Sequence, residues 1–376
     1  MSGDNDLPEA DRAEGAPHPR HTATLVGHDA AQRAFLSALG SGRLHHAWLI
    51  TGPPGIGKAT LAWRIARALL STAPAAPGGG LFGDTPVAAP ETLDTDPDSP
   101  RNRRISALSD PALYLLRRPL DDRRGKLKTV ITVDEVRGLK RFFALSQADG
   151  GRRVVIVDCA DDMQGPAANA LLKLLEEPPA DTVFLMVSHV PSRLLPTIRS
   201  RCRTLSCAPL PPDDVGAALT GALPDLDPEE ALALARLSSG SVGAAVRLHV
   251  QDGLELAGTL DRMLDSLPGL DRMAATRLAA DLAAPKAEDR RALFLDMLDQ
   301  RLAGLARQGV LGHAVAPPVP AALTPGPQAG RRWAEAQQAL TGRVRRGLAV
   351  NLDPAALILD MCVKLDALAQ DCAADR

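Results

Sequence analysis

A chain of 376 residues is longer than one ordinary hydrophobic core requires, so we expect two or three domains. Its 43 basic and 45 acidic residues give a formal net charge of −2, which excludes a generally basic nucleic-acid binder. The five cysteines lack paired C-x-x-C spacing, and neither a signal peptide nor a membrane-spanning run is evident, so we expect a cytoplasmic protein without disulfides.

The first part of the chain changes from a polar tail to a helical pattern. Residues 1–22 lack apolar periodicity and are predicted to be a disordered tail. From Leu25 to Leu39 apolar residues recur at three-to-four spacing, which predicts a helix that ends before Gly40 and Gly42. The apolar residues 47–50 then predict a buried strand.

A G-x-x-x-x-G-K pattern over residues 52–58 follows this strand and leads into a helical stretch over residues 61–70. Gly52, Gly55 and Gly57 allow successive backbone N–H groups to turn inward around phosphates. Lys58 adds a point charge, and the helix N-terminus adds partial positive charge. The pattern in this context predicts a phosphate-binding P-loop.

The residue after the P-loop lysine departs from the pattern. It is normally Ser or Thr, whose hydroxyl ligates Mg²⁺, but here it is Ala59. Thr60 lies about 100° further round the helix, so we expect it to point elsewhere. No protein-held metal is predicted, and ATP binding is expected to be weak or vestigial in a cradle formed by Gly52, Gly55, Gly57, Lys58 and Thr60.

Residues 71–128 are predicted to form a long insertion or loop region, because residues 71–104 are rich in Pro, Gly and Asp without periodicity. The basic cluster at positions 117, 118, 123, 124, 126 and 128 is either a solvated face or a contact for DNA or a partner. Residues 134–147 follow as an amphipathic helix, so Asp134 and Glu135 begin a helix and are not an acidic site.

The continuous apolar run over residues 154–157 is typical of a strand buried on both faces of a parallel sheet. Asp158 ends this strand, where open α/β sheets bind ligands, and it is the Walker B candidate for holding Mg²⁺. Many ring ATPases place a glutamate next. This chain has Cys159, and a thiol does not replace that base without a shifted pKa and suitable reach.

Two further elements follow the Walker B candidate. Residues 169–177 predict a helix ended by two prolines, and residues 182–188 predict another buried strand. Ser188, at the end of that strand, is a candidate phosphate sensor together with His189, although an ordinary polar loop role remains open.

Five stretches together closely resemble the clamp-loader AAA+ family: residues 42–48 (GRLHHAW), the P-loop, residues 157–158, residues 170–179 (ALLKLLEEPP) and residues 194–202 (LLPTIRSRC). The resemblance covers about residues 25–250, is most specific over residues 169–202, and continues more weakly at residues 347–354. It implies an α/β P-loop (AAA+) domain with a parallel sheet over residues 23–208. A small helical lid over residues 209–250 and an all-α C-terminal oligomerisation (collar) domain over residues 251–376 would follow.

The resemblance also implies a function. The chain would be part of the DNA polymerase III holoenzyme, as a subunit of a five-subunit ATP-driven machine that opens a sliding clamp and places it on primed DNA. The implied partners are therefore the other loader subunits (gamma/tau and delta), the clamp and, through the complex, primed DNA. By this resemblance Arg201, in the Ser-Arg-Cys motif, would act in trans as an arginine finger in a neighbour's ATP site. The chemistry fits this role, since a guanidinium is always charged and stabilises the negative charge that develops on the phosphate.

Three departures from the family pattern coincide. Ala59 replaces the magnesium hydroxyl, Cys159 replaces the catalytic glutamate, and Gly243 stands where the lid motif Gly-Ser-x-Arg has its arginine. We therefore expect a structural subunit without intrinsic ATPase activity. Residues 71–130 contain no cysteine, so the four-cysteine zinc module found in relatives is not expected.

Two alternatives remain open at the level of sequence. The first alternative to a structural subunit is an active ATPase subunit of the same machine, with Thr60 and an unidentified base. The second is a P-loop nucleotide or phosphoryl transferase. The transferase would use residues 71–104 as an acceptor lid, but that segment offers no convincing base.

Overall fold

A computed structural model describes residues 8–22, 24–71, 90–121, 125–144, 151–314 and 319–374. The chain folds as two compact units, Met1–Val246 and Arg247–Arg376. Among the described residues, no helix combines the length and the apolar content needed to cross a membrane.

The first unit is built on a parallel sheet. Its strands are β1 (Ala47–Thr51), β2 (Leu113–Arg117), β3 (Leu120–Asp121), β4 (Lys126–Leu127), β5 (Arg153–Asp158), β6 (Thr182–Ser188) and β7 (Arg203–Ser206). Five of them are parallel in the order β2-β5-β6-β1-β7, and β3 pairs with β4 as a small antiparallel ribbon. All seven residues of β6 are buried, as expected for a strand covered on both faces.

Helices cover both faces of this sheet. They are α1 (Asp29–Gly40), α2 (Lys58–Ser71), α3 (Pro100–Ser106), α4 (Val133–Ala144), α5 (Gly165–Glu176) and α6 (Pro196–Arg199). After β7 the chain continues with α7 (Pro212–Ala222), α8 (Pro228–Leu237) and α9 (Val242–Val250). Val154 and Ile156 of β5 pack on the α1–α2 face, whereas Val155 and Val157 pack on the α4–α5 face. This alternation produces two cores, one on each face of the sheet.

The region predicted as a long insertion or loop over residues 71–128 contains regular structure, so the loop prediction is wrong at α3 and at the strands β2, β3 and β4. Helix α3 lies within it, and β2 joins the sheet beside β5. The apolar run of β2 is short, and its pairing partner lies far away in the sequence, so local pattern gave no signal for it. Residues 72–89 and 122–124, including part of the predicted basic cluster, lie outside the described residues.

The predicted disordered tail is also corrected where the structure describes it. Residues 8–22 follow a defined path and include a 3-10 turn over Pro19–His21. Asp11 contacts Arg117 and lies 2.9 Å from Nε2 of His18, while Arg117 also pairs with Glu9 at 2.9 Å. Ion pairs with the end of β2 hold this polar segment, and no apolar pattern reveals such contacts.

Where the structure describes the second unit, its regular elements are all helical, as predicted: α10 (Gly253–Asp265), α11 (Arg272–Ala283), α12 (Glu288–Leu311), α13 (Pro327–Ala336), α14 (Gly342–Ala349) and α15 (Pro354–Ala374), plus a π-helical turn over Gln337–Thr341. The long helix α12 packs against α10, α11 and α13. Its buried Arg301 forms a two-contact ion pair with Asp261 of α10, at 2.8 and 3.1 Å. Bidentate geometry of this kind is the stronger form of an arginine–carboxylate pair.

Candidate functional site

The P-loop connects the end of β1 to the first residue of α2, and two of its glycines are required by their surroundings. Gly52 has φ 144° and Gly55 has φ 75°, which are conformations that other residues rarely adopt. A Cβ on Gly52 would lie 2.3 Å from the carbonyl oxygen of Cys207, and one on Gly55 would lie 2.5 Å from Oγ of Ser241. Gly57 also has a positive φ, of 103°. The three predicted glycines thus shape one tight loop.

Lys58 is the first residue of α2, and its side chain is only 2% exposed. Its ammonium group donates a hydrogen bond to the carbonyl oxygen of Pro53, which closes the loop on itself. Burial lowers the pKa of Lys58 to about 8, although nearby acidic groups such as Asp158 oppose the shift. The cation is therefore held inside the loop and loses its proton at a mildly alkaline pH.

A cavity of about 830 Å³ lies beside the P-loop, large enough for a nucleotide-sized ligand. Its lining includes the first turn of α2, the end of β5, residues of α7 and α9, and much of residues 10–22. Ala59 and Thr60 both border the cavity. The direction of the Thr60 hydroxyl relative to a bound phosphate therefore stays a prediction.

Asp158 ends β5 and lies at the cavity, as the Walker B interpretation requires. Burial, reinforced by the nearby Asp11 carboxylate, raises the pKa of Asp158 to about 7, while the ammonium of Lys58 opposes the shift. Strand β6 lies between β5 and the P-loop strand β1. The residues that follow β6 therefore lie between the Walker B aspartate and the phosphate cradle.

The predicted sensor Ser188 is fully buried at the end of β6. Its hydroxyl donates to Oδ1 of Asp161 at 2.7 Å, and the same carboxylate accepts from the backbone N–H groups of His189 and Val190. The Cys159 thiol donates to Oδ2 of Asp161 at 2.9 Å. Asp161 is therefore the centre of a polar cluster that sequence reasoning missed, because its partners lie at or directly after the ends of two strands, β5 and β6, that are separate in sequence.

Two groups in this cluster are poor proton acceptors. Burial, together with the hydrogen bond to Asp161, raises the pKa of the Cys159 thiol, so it stays protonated at neutral pH. Burial lowers the pKa of His189 to about 4, and the nearby charge of Lys58 acts in the same direction. His189 lines the cavity, whereas Ser188 is turned towards Asp161. Of the two predicted sensor positions, His189 is therefore the one at the cavity.

The lid motif contacts the P-loop directly. The hydroxyl of Ser241 donates to the carbonyl oxygen of Pro54 at 3.0 Å, and the N–H of Gly243 donates to the carbonyl oxygen of Gly55 at 2.9 Å. A Cβ on Gly243 would lie 3.0 Å from Cα of Gly55. The position at which the resemblance predicts a lid arginine is therefore in close backbone contact with the P-loop, which leaves little room for any side chain.

Arg201 follows α6 and does not line the cavity of its own chain. Nη2 of its guanidinium lies 2.8 Å from Oε1 of Glu176, and Nη1 donates to the carbonyl oxygen of Thr197 at 3.0 Å. The Arg201 side chain is 37% exposed. The arginine is thus oriented on the surface by two contacts while part of it faces solvent.

Comparison with known proteins gives consistent matches. A family model described as DNA polymerase III, delta subunit, matches residues 84–211. The DNA polymerase III subunit delta' of Pseudomonas aeruginosa is 39% identical over 274 residues, which cover 71% of this chain and 72% of that protein. The delta' subunit of Escherichia coli is 35% identical over 60% of each chain. The gamma/tau subunit of Mycobacterium tuberculosis is 31% identical over 54% of this chain and 31% of that protein.

A solved DNA polymerase III gamma subunit-related protein from Thermotoga maritima is 16% identical, covering 91% of this chain and 99% of its own, with a TM-score of 0.39. That likeness is too low to carry an argument.

The parallel sheet with its P-loop and flanking helices, followed by a helical unit, defines an α/β P-loop protein of the AAA+ class. On the match to the Pseudomonas aeruginosa protein, the chain belongs to the family of DNA polymerase III delta' subunits.

Proposed function

We propose that this chain is a non-hydrolysing subunit of the bacterial clamp loader that donates Arg201 to the ATP site of a neighbouring subunit. In this role it forms a hetero-pentamer with gamma/tau and delta subunits in the cytoplasm. It acts with them on the sliding clamp and on primed DNA. Its own P-loop binds ATP weakly, without a requirement for Mg²⁺.

The main support for a non-hydrolysing role is the pairing and protonation of the acidic groups at the cavity. The carboxylates that line the cavity among the described residues are those of Asp11, Asp158 and Asp162. Asp11 is paired with Arg117 and His18, and Asp162 is paired with Arg118 at 3.0 Å. Asp158 takes the Walker B position, and the next residue, where a base would orient water, is a protonated thiol. The ion pairs of Asp11 and Asp162 and the proton on Cys159 make these three groups poor bases. Asp158, whose pKa is about 7, is assigned to the Walker B position in this proposal, so no further base is left to activate water.

The position of Arg201 supports the second half of the proposal. Its guanidinium lies outside its own cavity, is partly exposed, and is oriented by Glu176 and Thr197. An arginine finger acting in trans needs this combination, because it must reach a phosphate bound by another chain while keeping a fixed direction.

Reconstitution of the loader with its partner subunits tests the role of Arg201. Arg201→Ala should leave assembly intact and depress DNA-stimulated ATP turnover, since loss of a finger costs ~10³-fold or more at a single site and less in a machine with several sites. Arg199→Ala, which removes an exposed arginine two residues away, is the control and should keep wild-type turnover. Equal turnover by the wild type and Arg201→Ala would remove Arg201 from this role.

A second candidate function is an active ATPase subunit of the same machine, which is favoured by the presence of both Thr60 and Asp158 at the cavity. Thr60 would then supply the magnesium hydroxyl in place of Ala59. Mg²⁺-dependent ATP turnover by the isolated chain, abolished by Lys58→Ala, would establish this function and overturn the first proposal. Calorimetry with and without EDTA would show whether nucleotide binding requires the metal.

A further inference from the structure

We propose that Cys159, Asp161 and His189 form a binding site for a divalent transition-metal ion, preferably zinc, at the edge of the P-loop cavity. One ligand atom from each side chain lies within 4.8 Å of the other two. A thiolate, a carboxylate and an imidazole are ligands that zinc takes, whereas Mg²⁺ prefers oxygen alone. The site is therefore chemically distinct from the magnesium position of a P-loop.

The distances are close to those that a bound ion needs. Zinc–ligand distances of about 2.0–2.3 Å place neighbouring tetrahedral ligands roughly 3.5 Å apart. Sγ of Cys159 now lies 2.9 Å from Oδ2 of Asp161, with the thiol proton between them. On binding, the ion takes the place of this proton: a metal–sulfur bond forms, the S–H bond breaks, and the proton leaves to solvent. Small side-chain rotations then bring the three ligands to the ion.

An unpaired nitrogen is an independent observation that points to a ligand. Nδ1 of His189 is buried and has no hydrogen-bond partner among the described residues. Buried polar atoms are nearly always paired, so such an atom requires an explanation, and binding of an ion is one of the recognised ones. The backbone N–H of His189 already donates to Asp161, which keeps the residue beside the other two ligands.

The surroundings support the ligands and leave one position open. The hydroxyl of Ser188 and the N–H of Val190 hold the Asp161 carboxylate at 2.7 and 3.2 Å, which is the role of the outer shell of a metal site. Cys159 and His189 also line the cavity, so a fourth coordination position would face it and take water or an anion. Lys58 opposes a cation here, whereas the neighbouring Asp158 favours one.

Cobalt and zinc titrations of the full-length protein test the site. After the protein is dialysed against a chelator, Co²⁺ should bind at one equivalent and produce a near-ultraviolet thiolate-to-cobalt charge-transfer band. Cys159→Ser should abolish this band. Cys202→Ser should retain it, since that thiol donates to the carbonyl oxygen of Ile198 at 3.0 Å, away from the site.

Zinc affinity, measured by competition with a chromophoric chelator, extends the test to the other residues. His189→Gln should weaken zinc binding by at least tenfold, and Ser188→Ala by about 10–100-fold through the loss of outer-shell support. Melting of the metal-free variants establishes that each one is folded. The site is overturned if the folded wild type shows no charge-transfer band, if Cys159→Ser keeps it, or if His189→Gln binds zinc as tightly as the wild type.

Discussion

At the residue scale, the chemistry of the P-loop depends on one buried ammonium. Lys58 has a pKa of about 8 because burial disfavours its charged form. Below that pH the group is charged and attracts phosphate, and above it the group is neutral and does not. A bound anion favours the charged form, so binding and protonation of Lys58 support each other.

The pH dependence of nucleotide binding follows from this pKa. In the presence of EDTA, the affinity for ADP should change little just below pH 8 and fall above it by about tenfold per pH unit, until the lysine of the complex also loses its proton. Calorimetry on both sides of pH 8 measures the effect. Lys58→Met should bind more weakly at neutral pH and show no such decline. If the affinity of the wild type for ADP stayed constant across pH 8, the lowered pKa of Lys58 would be contradicted.

At the element scale, the contact between α12 and α13 depends on a pair of glycines. A Cβ on Gly330 of α13 would lie 2.7 Å from the carbonyl oxygen of Ala306 and 3.0 Å from the N atom of Val310. A Cβ on Gly309 of α12 would lie 2.7 Å from Cα of Gly330. The two backbones therefore approach each other too closely for a side chain at either position.

Gly330→Ala should lower the free energy of unfolding by about 1–3 kcal/mol, because the added methyl group forces the two helices apart. Gly258→Ala is the matched control, since Gly258 lies in the interior of α10 and its Cβ would meet only the end of Arg262, at 3.5 Å. That change should stabilise the protein by about 0.5–1 kcal/mol through helix propensity. Chemical denaturation measures both values. Equal effects of the two substitutions would show that helix propensity alone, and not the close contact, decides the outcome.

At the scale of the whole molecule, the chain divides into Met1–Val246 and Arg247–Arg376. The second unit has its own core, which includes the fully buried Phe294 and Trp333. Arg290 of α12 reaches back to the carbonyl oxygen of Gln251 at 2.7 Å. A fragment of this unit that begins at residue 251 therefore includes both partners of this hydrogen bond, which lies just before α10.

The fragment 251–376 should fold on its own, because its apolar side chains are buried within the unit. We expect helical circular dichroism and a single cooperative thermal transition. A shorter fragment that begins at Glu288 lacks α10 and α11, which cover α12, and should unfold without a cooperative transition. A non-cooperative transition of the 251–376 fragment would contradict an independent core.

Much of the first unit could be predicted from local sequence signals. The P-loop glycines, the buried strands β5 and β6 and the aspartate at the end of β5 each have a pattern that reports its surroundings. The edge strand β2 and the path of residues 8–22 could not be predicted in this way. A short strand and a polar tail have no periodicity of their own, and their partners are distant in sequence.

The sequence by itself determined the class of the protein. It also showed which groups of a hydrolase are missing, because Ala59, Cys159 and Gly243 stand where a hydroxyl, a glutamate and an arginine are expected. Only the tertiary structure decided which atoms meet. It turned Ser188 towards Asp161, paired Arg201 with Glu176 and placed the lid backbone against the P-loop. The physical reason is that hydrogen bonds, ion pairs and burial depend on distances between residues far apart in the chain, which composition and spacing do not contain.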